Sequence, residues 1–458
     1  MNLSSDIFRA YDIRGVVSEA LTPDGVRMIG HAIGLLYPEC PRVAVGRDGR
    51  LSSAELAEAL CQGLVLAGRT AIDIGEVATP VLYYATHQLQ TAAGIMVTGS
   101  HNPPQYNGLK MVMNGKTLYG EDILGIYRRI QQGNLAHEQG GFREECELTS
   151  SYVERICGDV HLARPMEIAI DCGNGVAGPV ACALFERLGC KLSELYCDVD
   201  GHFPNHHPNP SEPKNLETLI DCVRSRQLEL GLAFDGDGDR LGVIDDEGHI
   251  IWADRQMMLY SMDVLARNPE SEIIYDVKSS RHLAEVIEQH GGKPCMWKTG
   301  HSLIKAKMKE TGALLAGEMS GHIFFKERWY GFDDGLYAAA RLLEILAKDS
   351  RPTSQIFAAL PNAISTPELN VHFKKDGAQH EFMHALIAQA EFSGGKIASI
   401  DGLRIDYPDG WGLVRASNTT PSLVIRFEAE TEQALKSIQG IFRRQLLLVN
   451  PKLELPFD

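Results

Sequence analysis

The chain has 458 residues and a formal net charge of −16, with 44% hydrophobic and 23% charged residues. That is the balance of a globular protein too long for one ordinary core, so three or four domains are expected. The acidic excess excludes a general nucleic-acid binder, which needs surplus Lys and Arg to displace phosphate counterions, but leaves room for a small phosphorylated ligand.

Other broad classes fall away as quickly. No run approaches the roughly 18 apolar residues of a membrane span, and the opening "MNLSSDIFRAYDIRG" holds no apolar signal core. Ten cysteines are scattered without a CxxC pair, against both zinc ribbons and disulfide scaffolds. A cytoplasmic, reducing compartment is expected, with neither nucleic acid nor membrane as partner.

In chain order, strand-like apolar runs alternate with amphipathic helical stretches, the signature of parallel α/β units. The first unit reads "RVAVGRD", the helix "SSAELAEALCQGLVLAG", "TAIDIGEVATP", the helix "VLYYATHQ" and "AAGIMVTGSHNPP". The second reads "MEIAIDCGNG", "GPVACALFERLG", "KLSELYCDVDG", "NLETLIDCVRSRQ" and "LELGLAFDGDGDR". The third reads "SEIIYDVKSS", "RHLAEVIEQHG", "KPCMWKTG", "SLIKAKMKETG" and "ALLAGEMSGH". Each is β-α-β-α-β, and each third strand runs into a Gly-rich polar loop. Residues from about 363 differ: "ELNVHF", a helix near "HEFMHALIAQAE", strands "ASIDGLRIDYP", "GLVRAS" and "SLVIRFEA", and a helix from Glu432 predict a small antiparallel α+β domain.

Ligands of open parallel sheets gather outside the carboxyl ends of the strands. Ser100, Asp235 to Asp239 and Glu318 to His322 all stand at such ends, which predicts a shared cleft. In "FDGDGDR", Asp235, Asp237 and Asp239 alternate with glycines that let the backbone fold tightly. Three carboxylates ~4 Å apart repel by roughly 4 kcal/mol per pair at an effective dielectric near 20. A hard cation relieves that, and Mg²⁺ keeps positions open for phosphate oxygens; a solvated acidic turn is the plain alternative. An EF-hand is excluded, because Arg240 stands where its glycine is needed and Asp246 where its bidentate Glu is.

Three further motifs carry rival readings. "GNGVAG", Gly173 to Gly178 with Asp198 further on, fits a dinucleotide fingerprint and an NAD-dependent oxidoreductase, or else a tight β-to-α turn packed closely on its helix. "GHFPNHHPNP" clusters His202, His206 and His207 without a Cys or Glu at ligand spacing, so an ordinary loop outweighs a zinc site. "VTGSHNPPQYNGLK", Val97 to Lys110, reads as a loop that is neither helix nor strand. It lacks the G-x-S-x-G elbow of a hydrolase, and His101 is adjacent to Ser100, poorly placed as its base unless the turn bends round. A serine that itself carries a phosphoryl group, held against a cation on the aspartates, joins both loops in one mechanism.

"TGSHNPP" with "YNGLK", "DGDGDR", "GEMSGH" and "RASNTTPS", in this order and supported by "FRAYDIRG", are the residues by which the chain resembles the α-D-phosphohexomutases over essentially its full length. The resemblance implies a heart-shaped protein with a central cleft: three topologically similar βαβαβ mixed-sheet domains plus a C-terminal α+β domain. Its boundaries would be 1–148 (phosphoserine), 149–251 (metal-binding), 252–363 (sugar-binding) and 364–458 (C-terminal, phosphate-binding). Ser100 matches the family's phosphoserine and completes an Mg²⁺ shell with Asp235, Asp237 and Asp239. Arg14, Lys110 and Arg240 match cations around the transfer site, and His101 and Lys110 are candidate proton shuttles.

The loop Glu318, Met319, Ser320, Gly321 and His322 matches the grip on sugar hydroxyls. Arg415, Ala416, Ser417, Asn418 and Thr419 match the clamp on the non-reacting phosphate, and Tyr11, Lys278 and His301 match further substrate contacts. The implied activity interconverts hexose 1- and 6-phosphates of mannose and glucose through a 1,6-bisphosphate, with glucose 1,6-bisphosphate as activator, in a monomer. Met319, where the phosphoglucosamine branch carries Gln, favours the mannose/glucose branch over phosphoglucosamine mutase. Tail-domain closure is expected, hinged near residues 363 to 370.

Overall fold

The computed structural model describes residues 3–375, 377–418 and 420–457. Among these residues four sheets follow one another. The first holds β1 (Ile13–Val16), β2 (Arg42–Arg47), β3 (Thr70–Glu76), β4 (Gly94–Val97), β5 (Tyr106–Met113), β6 (Lys116–Thr117) and β7 (Phe142–Glu145). The second holds β8 (Glu167–Asp171), β9 (Lys191–Leu195), β10 (Leu230–Phe234), β11 (Leu241–Asp245) and β12 (Ile250–Ile251). The third holds β13 (Glu272–Asp276), β14 (Lys293–Trp297), β15 (Leu315–Gly317) and β16 (Ile323–Phe325). The fourth holds β17 (Ile364–Ser365), β18 (Leu369–His372), β19 (Lys396–Ala398), β20 (Leu403–Tyr407), β21 (Gly410–Ala416) and β22 (Ser422–Ala429).

The same strand order occurs three times. In β3-β2-β4, β9-β8-β10 and β14-β13-β15 the three strands are parallel. In each sheet the next strand (β5, β11 or β16) then turns back antiparallel beside the last of them. Parallel neighbours require crossovers, which the amphipathic helices between them supply. β4 and β10 are buried at every position, as strands covered on both faces must be. The turns β4–β5, β10–β11 and β15–β16 therefore occupy equivalent places, outside the carboxyl end of the last parallel strand. They carry Ser100, the three aspartates, and Glu318 to His322.

One expectation fails here. Tyr106–Met113 is not loop but β5, and Lys110 lies in its middle, opposite Met96 of β4. Pro103 and Pro104 break only the turn itself, and the β-forming run after them resumes pairing.

A continuous core unites the first three units: Val81 and Tyr84, Tyr152 and Phe185, and Tyr260 and Leu336 belong to one buried cluster. The helix Gly335–Leu346 is buried along nearly its whole length, which the apolar run "GLYAAARLLEIL" permits. The fourth sheet is antiparallel and has its own core, with Phe442 of the helix Glu432–Val449 edge-on to Phe427. It meets the third unit through Val277, Trp411 and Leu413. There Arg404 lies 3.9 Å over the Trp411 ring and donates to the carbonyls of Val277 at 2.8 Å and Ser279 at 2.7 Å. No helix among the described residues is long and apolar enough to cross a membrane.

Candidate active site

The Ser100 loop is a strained turn. Ser100 has φ 47°, a left-handed conformation that a non-glycine residue adopts only when its surroundings impose it. Those surroundings are visible. The Arg50 guanidinium, itself buried, donates to the carbonyls of Ser100 (2.7 Å), Asn102 (2.6 Å), Pro103 (2.8 Å) and Tyr106 (3.0 Å). Asp48 pairs with Arg50 at 3.2 Å and accepts from the Gly99 N–H at 3.0 Å. From the second unit, His207 Nε2 meets the His101 carbonyl. Bent this way, the turn brings His101 Nδ1 to 3.1 Å from Ser100 Oγ, an approach that adjacency in sequence argued against.

Ser100 Oγ donates to Asp235 Oδ2 at 2.8 Å. The second loop approaches so closely that a Cβ at Gly236 would lie 2.4 Å from the Ser100 carbonyl oxygen, which is why glycine stands there. Asp235, Asp237 and Asp239 are fully buried, with ligand oxygens within 4.8 Å of one another. Lys110 Nζ donates to Asp237 Oδ2 at 2.7 Å and also to Asp239 Oδ2. Thr79, at the start of the helix Thr79–Gln88, adds its hydroxyl to Asp237 Oδ2 and its N–H to the Asp237 carbonyl at 2.8 Å. Asp237 Oδ1 is buried with no hydrogen-bond partner among the described residues.

The electrostatics follow from this crowding. Burial, then the charges of Asp237 and Asp239, push the Asp235 carboxyl well above its ordinary range. Asp239 goes the other way: burial opposes it, but the charges of Lys110 and His322 hold it well below. Burial depresses Lys110, yet the aspartates outweigh it and keep the ammonium charged. His101 is held well below 6.5 by burial and by Arg240, Arg14, Lys110 and His322, so it is neutral. A hard-oxygen donor set with one orphaned carboxylate oxygen fits a divalent cation.

The third loop joins the second through an isolated bridge between Arg240 and His322. His322 Nε2 lies 3.2 Å from Asp239 Oδ1, and its Nδ1 lies 3.0 Å from Ser320 Oγ and 3.4 Å from Glu318 Oε2. Burial opposes protonation of His322, but Asp239 and Glu318 raise it to about 9. Arg240 Nε stands 3.4 Å from the same ring. Glu318 Oε1 accepts from the Gly300 N–H at 2.6 Å, and its carboxyl is lowered, against burial, chiefly by His322. Its Oε2 has no hydrogen-bond partner among the described residues. Gly321 has φ 96° and closes the turn onto the Glu318 carbonyl, while Met319 is half-buried within it.

The clamp residues join the same web. Arg415 Nε donates to Asp401 at 3.0 Å, and that carboxylate also accepts from the Thr299 N–H at 3.0 Å. The Tyr11 hydroxyl donates to the Thr299 carbonyl at 3.3 Å and accepts from Asn418. Ser417 Oγ accepts from the Thr420 N–H at 3.2 Å, next to Ala416 at the end of β21. Lys278 Nζ meets Glu368 at 2.6 Å. His301 Nδ1 lies 3.2 Å from Asp333, which Lys305 also pairs at 2.8 Å. Arg14 pairs with Asp12. Thr419 lies outside the described residues.

Thus loops from all four units form one connected polar network. Sequence reasoning missed Asp48, Arg50, Thr79, Thr299, Asp333 and Asp401; "GRDGR" and "FDDG" were the available signals. The two other histidine and glycine motifs have structural partners. His206 pairs with Asp171 at 3.0 Å, and Gly173 packs against Pro208 while Gly178 packs against the Cys197 carbonyl, so that loop is occupied by its own neighbours.

Four models of the phosphoglucomutase/phosphomannomutase family match in order: alpha/beta/alpha domain I over residues 5–137, domain II over 150–248, domain III over 252–364, and the C-terminal domain over 368–445. The chain belongs to the phosphoglucomutase/phosphomannomutase family. It is 54% identical over 457 residues to a phosphomannomutase/phosphoglucomutase of Pseudomonas aeruginosa, covering 99% of this chain and 98% of the relative. It is 52% identical over 459 residues to a phosphoglucomutase of Neisseria meningitidis, covering 99% of each. A crystal structure of a family protein from Burkholderia thailandensis superposes with a TM-score of 0.94 at 51% identity, covering 99% of this chain and 100% of that one.

Proposed function

We propose that the chain interconverts the 1- and 6-phosphates of glucose and mannose by passing a phosphoryl group through Ser100. The observation that carries this reading is Ser100 Oγ, 2.8 Å from Asp235, one of three buried carboxylates gathered within 4.8 Å of one another. Asp235, Asp237, Asp239 and the serine-borne phosphate would hold Mg²⁺. When bound, it neutralises charge on the transferring group, the main demand in phosphoryl transfer.

In the forward half-reaction the bond between phosphorus and Ser100 Oγ breaks, and one to the free hydroxyl of the hexose phosphate forms. Neutral His101 suits the role of proton acceptor for that hydroxyl, and the Lys110 ammonium, held charged, suits electrostatic support instead. Arg14 and Arg240 add positive charge around the group in transit. Glu318, kept ionised, accepts from vicinal sugar hydroxyls, flanked by Met319, Ser320, Gly321 and His322, with Lys278 and His301 as further contacts. Arg415, Ser417 and Asn418, with Thr419, clamp the phosphate that does not react, an anion that would take Arg415 from Asp401. The 1,6-bisphosphate then turns end for end and returns its other phosphate to Ser100; glucose 1,6-bisphosphate primes the cycle. The four units take the phosphoserine, metal, sugar and phosphate roles in chain order.

A coupled assay with Mg²⁺ and a trace of glucose 1,6-bisphosphate tests this on glucose 1-phosphate, mannose 1-phosphate and glucosamine 1-phosphate. Turnover of the first two, largely lost in Ser100→Ala, is expected. Turnover of glucosamine 1-phosphate alone would move the chain to the phosphoglucosamine branch.

A further inference from the structure

Between the first and third units lies a second cavity, with a volume of about 420 Å³, within the range of small-molecule sites. Lys116, Lys305, Lys309 and Lys326 line it, and no Asp or Glu among the described residues does. In a chain with 60 acidic and 44 basic residues, that is a local reversal of sign. Lys116 has a partner, Asp122, at 2.8 Å. Lys309 and Lys326 are exposed and have no ion pair among the described residues. Clustered ammonium groups repel one another and attract a polyanion.

Aromatic side chains share the lining. The His87 and Tyr330 rings stack with centroids 4.6 Å apart, and Tyr330 stacks on Phe332 at 5.9 Å, the two rings being nearly coplanar in orientation at 3°. His87 is exposed and Tyr330 half-buried while Phe332 behind them is buried, so the ring surface open to a ligand belongs to His87 and Tyr330. Aromatic rings beside several ammonium groups select a compound that joins a planar ring to more than one negative charge.

The cavity also touches the catalytic network. Lys305 lines it and pairs with Asp333 Oδ1 at 2.8 Å. Asp333 Oδ2 is 3.2 Å from His301 and 4.0 Å from His322. An anion that draws Lys305 toward the cavity leaves Asp333 to the two histidines.

We propose that this cavity is an effector site for nucleoside phosphates, with the base against His87 and Tyr330, the phosphates among the lysines, and Lys305 reporting occupancy to the site. Binding itself is independent of the mutase reading; only the coupling rests on it. Calorimetric titration with ADP, GDP and UDP tests the binding on wild type, on the double variant Lys309→Gln/Lys326→Gln, and on Arg415→Ala. The expected result is one site per chain for at least one of the three, weakened about tenfold or more in the double lysine variant and unchanged in Arg415→Ala. The double variant without nucleotide should turn over hexose phosphate as wild type does, and the bound nucleotide should change kcat rather than compete with substrate. No heat from any of the three at millimolar concentration would overturn the proposal. So would binding lost in Arg415→Ala but kept in the lysine variant, which would put the nucleotide on the phosphate clamp, and so would purely competitive inhibition.

Discussion

Arg50→Ala removes a guanidinium that is 3% exposed and serves four carbonyls of the serine loop together with Asp48, itself 2% exposed. Hydrogen bonds from a charged donor contribute about 1.5–3 kcal/mol each but do not add. Breaking a buried ion pair by deleting one partner costs about 3–5 kcal/mol, and that is the better measure, since Asp48 keeps the N–H groups of Gly99 and Arg50. The loss should fall on the loop as well as on global stability, because Ser100 holds its left-handed backbone only while its carbonyl is anchored. A shift of about 1 Å at the nucleophile is enough to cost on the order of a hundredfold in rate. Urea denaturation should therefore show a loss of about 3–5 kcal/mol. The coupled assay, run where the variant is still folded, should show kcat down by about a hundredfold with KM little changed. Arg50→Lys, with its charge but no fork, should fall between. Arg50→Ala with stability within about 1 kcal/mol of wild type and normal turnover would refute the reasoning.

Three further outcomes are expected. Asp237→Asn removes charge from the carboxylate with the orphaned oxygen, and calorimetry should show Mg²⁺ affinity reduced by about tenfold or more; unchanged affinity would remove Asp237 from the metal shell. Burial alone would lower the pKa of His206, but its hydrogen bond and charge interaction with Asp171 outweigh that and raise it. The pair's stabilisation is then full below the unfolded value of about 6.5 and lost as pH rises through the raised folded value. His206→Gln should accordingly cost more at pH 6 than at pH 8.5 in guanidinium melts, and an equal cost at both would contradict the pairing. Closure of the tail unit about residues 363 to 370 should make X-ray scattering profiles with and without a bisphosphate ligand differ; superimposable profiles would exclude it.

The repeated βαβαβ units were legible because periodicity changes cleanly from strand to helix, and one loaded loop fell at a strand end in each of the three repeats. β5 was not: two prolines, Asn107 and Gly108 mask a strand whose pairing with β4 and β1 is set by tertiary contact. The serine and the aspartates announced themselves through residue type and spacing. Arg50 did not, since its meaning lies in reaching carbonyls 50 and more positions away. Asp401 and Asp333 are similar: one carboxylate is a surface residue on paper, and only the fold makes it the partner of Arg415 or of His301 and Lys305. His101 shows the converse. Its adjacency to Ser100 looked unfavourable until the left-handed turn brought the ring round.

The most direct measurement is to incubate the protein with Mg²⁺ and hexose 1,6-bisphosphate labelled in its phosphates, then digest it and map the label by mass spectrometry. The account predicts a single labelled peptide phosphorylated at Ser100, with the label chased off by unlabelled hexose 1-phosphate and absent from Ser100→Ala. Label on another residue, or full mutase turnover in Ser100→Ala with no labelled peptide, would contradict it.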